Sequence, residues 1–256
     1  MLTNTFYPKF SPELLRLGRD NDGGYVISST SISDTQMILG LGLSDDWSFE
    51  EDMARRTGAE VVCVDHTVHS EFWRRKAILA FMKMFAFRHG PAGVVRQIAT
   101  WFAYHRFFRT GGATHIRKKI GGSGSGGMDL RALLELCPDG GVFLKMDIEG
   151  WEYRILNQVI EYADRFSGVV IEFHDVDLHR ERIEAFICEL KLPLVHIHAN
   201  NAASLDGRGD PMVLELTFGH QGDRRNPQRQ IVSYPIVGVD QPNDLRCEDI
   251  ELVFEK

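Results

Sequence analysis

Short apolar runs of strand length alternate along this chain with segments that have helical spacing. Each run ends in polar residues, and the runs are Met37–Leu43, Glu60–His66, Val142–Gly150, Val169–Asp175 and Pro193–Asn201. Helical patterns follow three of them, at Phe49–Thr57, Trp151–Phe166 and Leu178–Leu190. Strands that alternate with helices form βαβ units, and near-continuous apolar strands belong to a sheet covered on both faces. The pattern predicts an α/β fold with a mostly parallel sheet.

Two apolar runs near the C-terminus predict how the sheet closes. Met212–Phe218 and Asp249–Glu255 are not separated by a helical pattern, so we expect them to pair as a long antiparallel hairpin. No clear linker divides the 256 residues, and a domain of this length can bury its own core. The prediction is one domain over residues 1–256.

A basic segment from about residue 70 to residue 112 interrupts this pattern. Between Glu71 and Thr110, eight lysines and arginines accompany Glu71 as the one acid. Apolar residues recur there at three- and four-residue steps, and Gly90-Pro91 predicts a break between two helices. We expect a helical cap that either exposes its charges to solvent or closes over an anionic glycan or a phospholipid-linked acceptor. In the second case its aromatic residues would meet sugar faces or a membrane interface, among them Trp101, Tyr104, Phe107 and Phe108.

Composition narrows the class of protein. The formal net charge of -7 argues against binding nucleic acid by phosphate neutralisation. The four cysteines have no zinc-site spacing, so reduced thiols are expected, and the glycine-rich Gly121–Gly127 lacks the residues of a P-loop. The N-terminus has no signal-peptide pattern, and no run reaches the roughly 18 apolar residues of a membrane span. These features predict a cytoplasmic protein.

The first two strands end in residues that suit a nucleoside. Gly40-Leu41-Gly42 closes the first strand, and Asp65-His66 closes the second about 20 residues later. In such an arrangement the glycines admit the ligand and the acid accepts the ribose hydroxyls, although a purely structural turn is the alternative. Ser44-Asp45-Asp46 would repel a pyrophosphate, so a cationic or zwitterionic ligand such as S-adenosylmethionine fits better.

Further acids and a histidine follow the next two strands. Asp147 and Glu149 lie on one side of a strand end by period two, which suits ligand or metal binding, although Glu149 could instead cap the following helix. His174 is the candidate base for an oxygen nucleophile, because imidazole titrates near neutrality, and Glu172 or Asp175 would orient it.

A divalent metal such as Mg²⁺ is the alternative to a base at this edge. Carboxylate and amide oxygens would hold it, with His174 as a ligand for a softer metal. The candidate ligands are Asp147, Glu172, His174, Asp175 and Asn200. His196 and His198 share one face of the next strand, where they either join the site or pack as core histidines.

The segment Val142–Leu156 has the spacing K-x-D-x-E-G-x-E. This block resembles the signature of the FkbM family of S-adenosylmethionine-dependent methyltransferases. Similar blocks occur at Arg16–Ile27, Ile38–Glu50, Val169–Asp177, His196–Asn201 and Val239–Asp244. The resemblance implies a class I methyltransferase fold, which is a Rossmann-like three-layer sandwich with a seven-stranded, mostly parallel sheet.

The resemblance also implies a cofactor, S-adenosylmethionine, and its place in the chain. Asp147 would stand beside the methyl-transfer centre, with Glu172 and His174 as the other catalytic candidates, and Tyr25 would close one wall of the pocket. The residues expected to bind the cofactor are Gly40, Gly42, Ser44, Asp65, His66 and Asp147.

These observations lead to one function hypothesis and two alternatives. The leading hypothesis is a methyltransferase that methylates a hydroxyl on a sugar, a glycan or a small metabolite. The alternatives are a metal-dependent hydrolase that uses the same acidic edge, and an inactive methyltransferase-fold protein that acts as a binding module. We expect a small-molecule or glycan acceptor and no nucleic acid as partners, with contact to a membrane surface through the basic insertion as a further option.

Overall fold

The structure is a computed structural model that describes residues 1–8, 13–85, 92–110, 112–121, 127–220 and 233–255. Its strands are β1 (Leu14–Leu17), β2 (Tyr25–Ser28), β3 (Met37–Leu41), β4 (Glu60–Val64), β5 (Ala113–Ile116), β6 (Val142–Met146), β7 (Phe166–Phe173), β8 (Leu194–Ala199) and β9 (Leu214–Gly219). Its helices are α1 (Ser29–Ser33), α2 (Ser48–Thr57), α3 (Ser70–Phe85), α4 (Ala92–Thr110), α5 (Leu130–Leu134), α6 (Leu156–Glu161) and α7 (Val176–Glu189).

Seven strands form one sheet in the order β5-β4-β3-β6-β7-β9-β8, while β1 and β2 form a separate antiparallel hairpin. The neighbours from β5 to β7 are parallel, and β9 runs antiparallel to both β7 and β8. The strand order therefore reverses next to β3, as in a doubly wound sheet, and an antiparallel strand is inserted near one edge. This is the class I methyltransferase fold, and it confirms the predicted α/β class with antiparallel C-terminal strands.

The apolar runs become strands because both faces of the sheet are covered. Every residue of β3, β6 and β7 is buried. Successive side chains point to opposite faces, so Phe143 and Val170 belong to one core cluster and Leu144 and Ile171 to the other. The polar residues that follow these strands are left at the carboxyl edge of the sheet, where the chain leaves the core.

The predicted pairing of the two C-terminal runs is wrong. β9 forms from the first run and pairs with β8 on one side and β7 on the other, so no edge remains for a further strand. Residues 249–255 instead make isolated bridges, Leu252 with Tyr234 and Phe254 with Leu2. The hairpin at the edge of the sheet consists of β8 and β9, which residues 200–213 connect.

Five of the described strands and α-helices lie outside the predicted runs and helical segments: β1, β2, α1, β5 and α5. β5 is a four-residue edge strand in which only Ala113 is buried, so its sequence lacks an apolar run. The helix predicted after β6 is interrupted, because 3-10 turns at Glu152–Arg154 and Ala163–Arg165 flank α6.

The predicted basic insertion consists of α3 and α4. Gly90-Pro91 and residues 122–126 of the glycine-rich segment lie outside the described residues. In the part of the chain that is described, no helix combines the length and the hydropathy needed to cross a membrane.

Candidate functional site

A cavity of about 770 Å³ lies at the carboxyl ends of the parallel strands, where doubly wound sheets bind ligands. Eight carboxylates but only four lysines and arginines line it, so its charge favours a cationic ligand over a phosphate. The acids are Asp22, Asp45, Asp46, Glu50, Asp65, Asp147, Glu149 and Glu172. The predicted residues Gly42, Ser44, Asp65, His66, Asp147, Glu172, His174 and Asn200 line this cavity, whereas Gly40 and Asp175 do not.

Glycine is required at two positions where β3 meets the cavity, for different reasons. Gly42 has a φ of +88°, and a Cβ there would lie 1.7 Å from the backbone carbonyl oxygen of Asp147. A Cβ on Gly40 would lie 2.6 Å from Oε1 of the buried Glu50. Gly42 therefore shapes the cavity wall, while Gly40 makes room for Glu50.

Asp65 organises the turn that follows Gly42. Its Oδ2 accepts hydrogen bonds from the backbone N–H groups of Leu43 (2.9 Å) and Ser44 (3.0 Å). Its Oδ1 accepts from the backbone N–H (2.6 Å) and the hydroxyl (2.7 Å) of Thr67. Burial opposes ionisation of Asp65, but these hydrogen bonds outweigh it and lower the pKa of the carboxyl. Asp65 thus stays charged, and its neighbour His66 is exposed at the cavity.

His174 stands at the centre of a ring of carboxylates. Its Nε2 lies 3.6 Å from Glu172 Oε1, 3.6 Å from Glu149 Oε2 and 4.0 Å from Asp147 Oδ1. Burial alone would lower the pKa of His174. The hydrogen bond with Glu152 and the charges of Glu152, Glu172 and Asp147 outweigh burial and raise the pKa to about 9. Without a ligand the imidazole is therefore protonated at neutral pH.

The carboxylate that orients His174 is Glu152, and not Glu172 or Asp175, the two candidates predicted from the sequence. Nδ1 of His174 donates to Glu152 Oε1 at 3.2 Å, and the same oxygen accepts from the backbone N–H groups of Ile148 (2.9 Å) and Gly150 (3.3 Å). Glu152 is completely buried. It joins the loop after β6 to the end of β7 and fixes the ring of His174 with Nε2 toward the cavity.

Lys145 offsets the negative charge of the acids that line the cavity. Its buried Nζ donates to the carbonyl oxygen of Gly42 at 3.1 Å and lies 3.6 Å from Asp147 Oδ2. Burial opposes its charge, but Asp147, Glu50 and Glu172 together raise the pKa of Lys145 above its ordinary value. The lysine is therefore charged, and it ties β6 to the glycine turn.

Tyr25 and Asn200 complete the wall around Glu172. The hydroxyl of Tyr25 lies 3.3 Å from both Asp147 Oδ2 and Glu172 Oε2, and Asn200 Nδ2 donates to Glu172 Oε1 at 3.2 Å. Burial and the nearby charges of Asp147 and Glu215 raise the pKa of Glu172 well above its usual value. The structure thus places Tyr25 at the cavity, as expected from the sequence.

Three ligating groups lie close enough to share a metal ion. Oxygens of Asp147 and Glu149 and a ring nitrogen of His174 all lie within 4.8 Å of one another. Two predicted ligands, Asp147 and His174, belong to this group. Glu149 completes it, whereas the predicted ligands Glu172 and Asp175 lie outside the group.

Backbone strain collects at the same edge. Among the described residues, Ser44, Glu149 and Asp175 are the non-glycine residues with positive φ, at 47°, 55° and 51°. They follow β3, β6 and β7, three strands that end at this edge. Such conformations cost on the order of 1–3 kcal/mol each and occur often at functional sites. The strain is therefore evidence for a functional site at this edge, and this evidence does not depend on the charges of the residues there.

His196 and His198 do not line the cavity. His196 Nε2 lies 2.9 Å from Asp240 Oδ1, and His198 donates toward Glu215 (3.3 Å) and Asp249 (3.1 Å). Both histidines are buried. They hold the C-terminal segment against the sheet, which is the core role that the sequence left open for them.

The insertion contacts both loops that follow the first two strands of the predicted site, the loop with Asp45 and the loop with Asp65. Lys76 of α3 forms an ion pair with Asp45. The hydroxyl of Tyr104 lies 2.6 Å from Nδ1 of His115, and Nε2 of His115 donates to the backbone carbonyl of Asp65 at 2.9 Å. Burial lowers the pKa of His115, which is consistent with a neutral ring that accepts from Tyr104 and donates to Asp65.

The aromatic residues of the insertion have mostly a structural role. Tyr104 and Phe107 are buried and pack with Phe108 around Trp47. They are therefore not free to contact a sugar or a membrane, as they would if the insertion closed over an acceptor. Trp101 is the exception, because it is 40% exposed.

Comparisons with known proteins identify structures that share part of this arrangement. No family model matches the chain, and no curated protein matches it. Precorrin-6y C5,15-methyltransferase from Geobacter metallireducens has 12% identity and a TM-score of 0.40, with 73% of this chain and 82% of that chain covered. The fibrillarin pre-rRNA processing protein of Methanococcus jannaschii has 11% identity and a TM-score of 0.39, with 77% of this chain and 71% of that chain covered. The fold assignment rests on the strand order.

Proposed function

We propose that this protein is an S-adenosylmethionine-dependent methyltransferase that methylates a hydroxyl on a sugar, a glycan or a small metabolite. The observation that carries the proposal is the acid-lined cavity at the carboxyl edge of a class I methyltransferase sheet. A sulfonium cation with an amino-acid head group suits this lining, whereas a dinucleotide pyrophosphate would meet Asp45, Asp46 and Asp65.

The residues of the glycine turn fit the proposed cofactor. Gly42 keeps the cavity wall free of a side chain, and Asp65 holds the backbone of Leu43 and Ser44 in place. Asp65 is the candidate partner of the ribose hydroxyls, which would take the place of Thr67 at Oδ1. His66 lines the cavity beside it.

His174 supplies the proton acceptor in this proposal. When bound, S-adenosylmethionine would supply an electrophilic methyl group, whose carbon bonds to the acceptor oxygen as its bond to sulfur breaks and the thioether leaves. A cation in the cavity repels the imidazolium and lowers its pKa toward 7, so a large fraction of His174 is neutral near pH 7 and its Nε2 can take the hydroxyl proton. Glu152 is a positioning residue, because it holds Nδ1 and leaves Nε2 facing the cavity.

A divalent metal is the second way in which these residues could activate a hydroxyl. Asp147, Glu149 and His174 offer two oxygens and one nitrogen, a set that suits Mn²⁺, Fe²⁺ or Zn²⁺ better than Mg²⁺. The contact from Glu152 to His174 matches the carboxylate that commonly orients a metal-binding histidine. A bound metal would acidify a coordinated hydroxyl.

Calorimetric titration tests the proposal. S-adenosylmethionine and S-adenosylhomocysteine are titrated into the wild-type protein and into Asp65→Asn, in EDTA and then with Mg²⁺ or Mn²⁺. We expect binding that the substitution weakens at least tenfold, because it removes a charged acceptor of four hydrogen bonds. Asp164→Asn is the matched control, since Asp164 pairs with Lys191 and does not line the cavity.

The outcomes separate the three hypotheses. Binding without metal, lost in Asp65→Asn but kept in Asp164→Asn, supports the methyltransferase and justifies a screen of hydroxylated acceptors. Metal binding with no affinity for either nucleoside favours a hydrolase that uses Asp147, Glu149 and His174. A folded protein that binds neither would act as a binding module, and the proposal would be wrong.

A further inference from the structure

The far half of the helical insertion exposes apolar side chains on both of its helices. In α3, Ile78 is 52% and Met82 is 61% exposed, and they lie four residues apart on one face. In α4, Val95 (64%), Ile98 and Phe102 (62%) lie at three- and four-residue steps, so they also share a face. We call these five residues the apolar surface. Surface residues of a helix that packs only on its own domain are seldom this apolar.

Basic side chains continue the same two faces toward the base of the insertion. Arg74 precedes Ile78 by four residues, and Arg109 follows Phe102 by seven, so each stands on the face of its helix that carries the apolar surface. Trp73 packs 5.3 Å from Tyr104, which places the start of α3 and the end of α4 together at the base. Arg74 shares the carboxylate of Glu71 with Arg75, so these three residues keep a net positive charge. The surface is therefore apolar far from the sheet and cationic near it.

The two layers have the order of side chains found at a bilayer interface. Met82 lies eight residues beyond Arg74 along α3, and in α4 Phe102 and Val95 lie seven and 14 residues from Arg109. At such an interface apolar side chains enter the region below the head groups, and arginines contact the phosphates. We propose that the insertion docks this protein on an anionic membrane surface, with the apolar surface in the outer acyl region.

Charge favours a lipid over a second copy of the chain. The segment between Glu71 and Thr110 holds eight basic residues and one acid, in a chain whose formal net charge is -7. Two copies that met through these same surfaces would cover the apolar side chains but would bring no opposite charge to the basic ones. Anionic lipid supplies both the apolar phase and the opposite charge. The inference does not depend on the proposed methyl transfer.

Vesicle co-sedimentation tests this inference with the full chain. The probes are phosphatidylcholine vesicles with and without about 30% phosphatidylserine, at low salt and at about 0.5 M salt. We expect binding to the anionic vesicles only, weakened by salt because the Debye length shortens. Ile78→Ser/Met82→Ser/Phe102→Ser should lower the partition coefficient at least tenfold. Arg74→Glu/Arg109→Glu should lower it and remove the salt dependence.

A matched control places the same change elsewhere. Leu178→Ser/Val237→Ser/Leu245→Ser replaces three exposed apolar residues outside the insertion, which are 74%, 97% and 73% exposed. This variant should bind vesicles like the wild type, and thermal melting should show that every variant is folded. Equal loss in both triple variants, or no binding to anionic vesicles, would overturn the inference. A wild-type dimer that only the insertion variant dissociates would assign the apolar surface to a second copy instead.

Discussion

The pKa of His174 tests whether a cation binds in the cavity. The carboxylates around it, with Glu152 on Nδ1, hold this pKa at about 9. S-adenosylmethionine carries a sulfonium charge that S-adenosylhomocysteine lacks, and the two share their other ionisable groups. We expect the pKa of His174 to fall when S-adenosylmethionine binds and to stay near its starting value when S-adenosylhomocysteine binds.

The size of the effect follows from the dimensions of the site. Two unit charges about 7 Å apart, a separation that fits inside a cavity of about 770 Å³, repel by roughly 2.4 kcal/mol at an effective dielectric constant of about 20. That energy lowers a pKa by about 1.7, so His174 would titrate near 7 in the complex. Because proton release and ligand binding are linked, the affinity for S-adenosylmethionine relative to S-adenosylhomocysteine should rise about 50-fold from pH 6 to pH 10.

Two measurements check this prediction. Proton-detected NMR of histidine-labelled protein in EDTA follows the ten imidazoles, and His174→Gln assigns the resonance of interest. Calorimetry across the same pH range gives the ratio of the two affinities. Equal pKa changes with both ligands, or a pKa near 6.5 in the free protein, would refute the electrostatic reasoning.

Two substitutions test the framework of the site, and a third tests the attachment of the C-terminal segment. Gly42→Ala should destabilise the protein by more than about 2 kcal/mol in urea unfolding and abolish nucleoside binding, because its Cβ would overlap the Asp147 carbonyl. A stable variant that still binds the nucleoside would contradict the close approach of the two loops. Lys145→Met should cost about 3–5 kcal/mol of unfolding free energy, since it leaves buried carboxylates without a cation, and a neutral effect would show that the acids are protonated. The pKa of His198 is raised to about 10, so its contribution to stability should be complete below pH 6.5 and disappear as the pH rises toward 10. His198→Gln should flatten that part of the stability profile by a few kcal/mol, and parallel profiles would exclude the ion pair with Asp249.

The sheet is the part of this structure that sequence predicts well. Buried parallel strands need apolar side chains on both faces, so the runs that become β3, β6 and β7 are visible without any knowledge of their partners. The pairing of the C-terminal strands is not visible, because an apolar run shows that a strand is buried but not which neighbour it has. β5 is missed for the opposite reason, since an edge strand can be polar.

The site is predicted in its residues more than in its contacts. The polar strand ends identify Asp65, Asp147 and His174, because strand ends must meet at one edge of the sheet. Glu152 is missed as the partner of His174, since the two are 22 residues apart and meet only through the loop after β6. In the sequence, Glu152 is marked only as the last acid of the K-x-D-x-E-G-x-E spacing, and the first residue of that spacing is Lys145.

The insertion contacts the cavity at two places, so the position of its helices affects the shape of the ligand site. Lys76 pairs with Asp45, and Tyr104 contacts the backbone of Asp65 through His115, so a shift of either loop relative to the helices would break these contacts. A restraint applied to the helices is thereby a restraint on the ligand site. If lipid changes the affinity for a nucleoside by some factor, the nucleoside must change the affinity for lipid by the same factor. Such coupling would make binding of the small-molecule ligand and binding to the membrane surface cooperative.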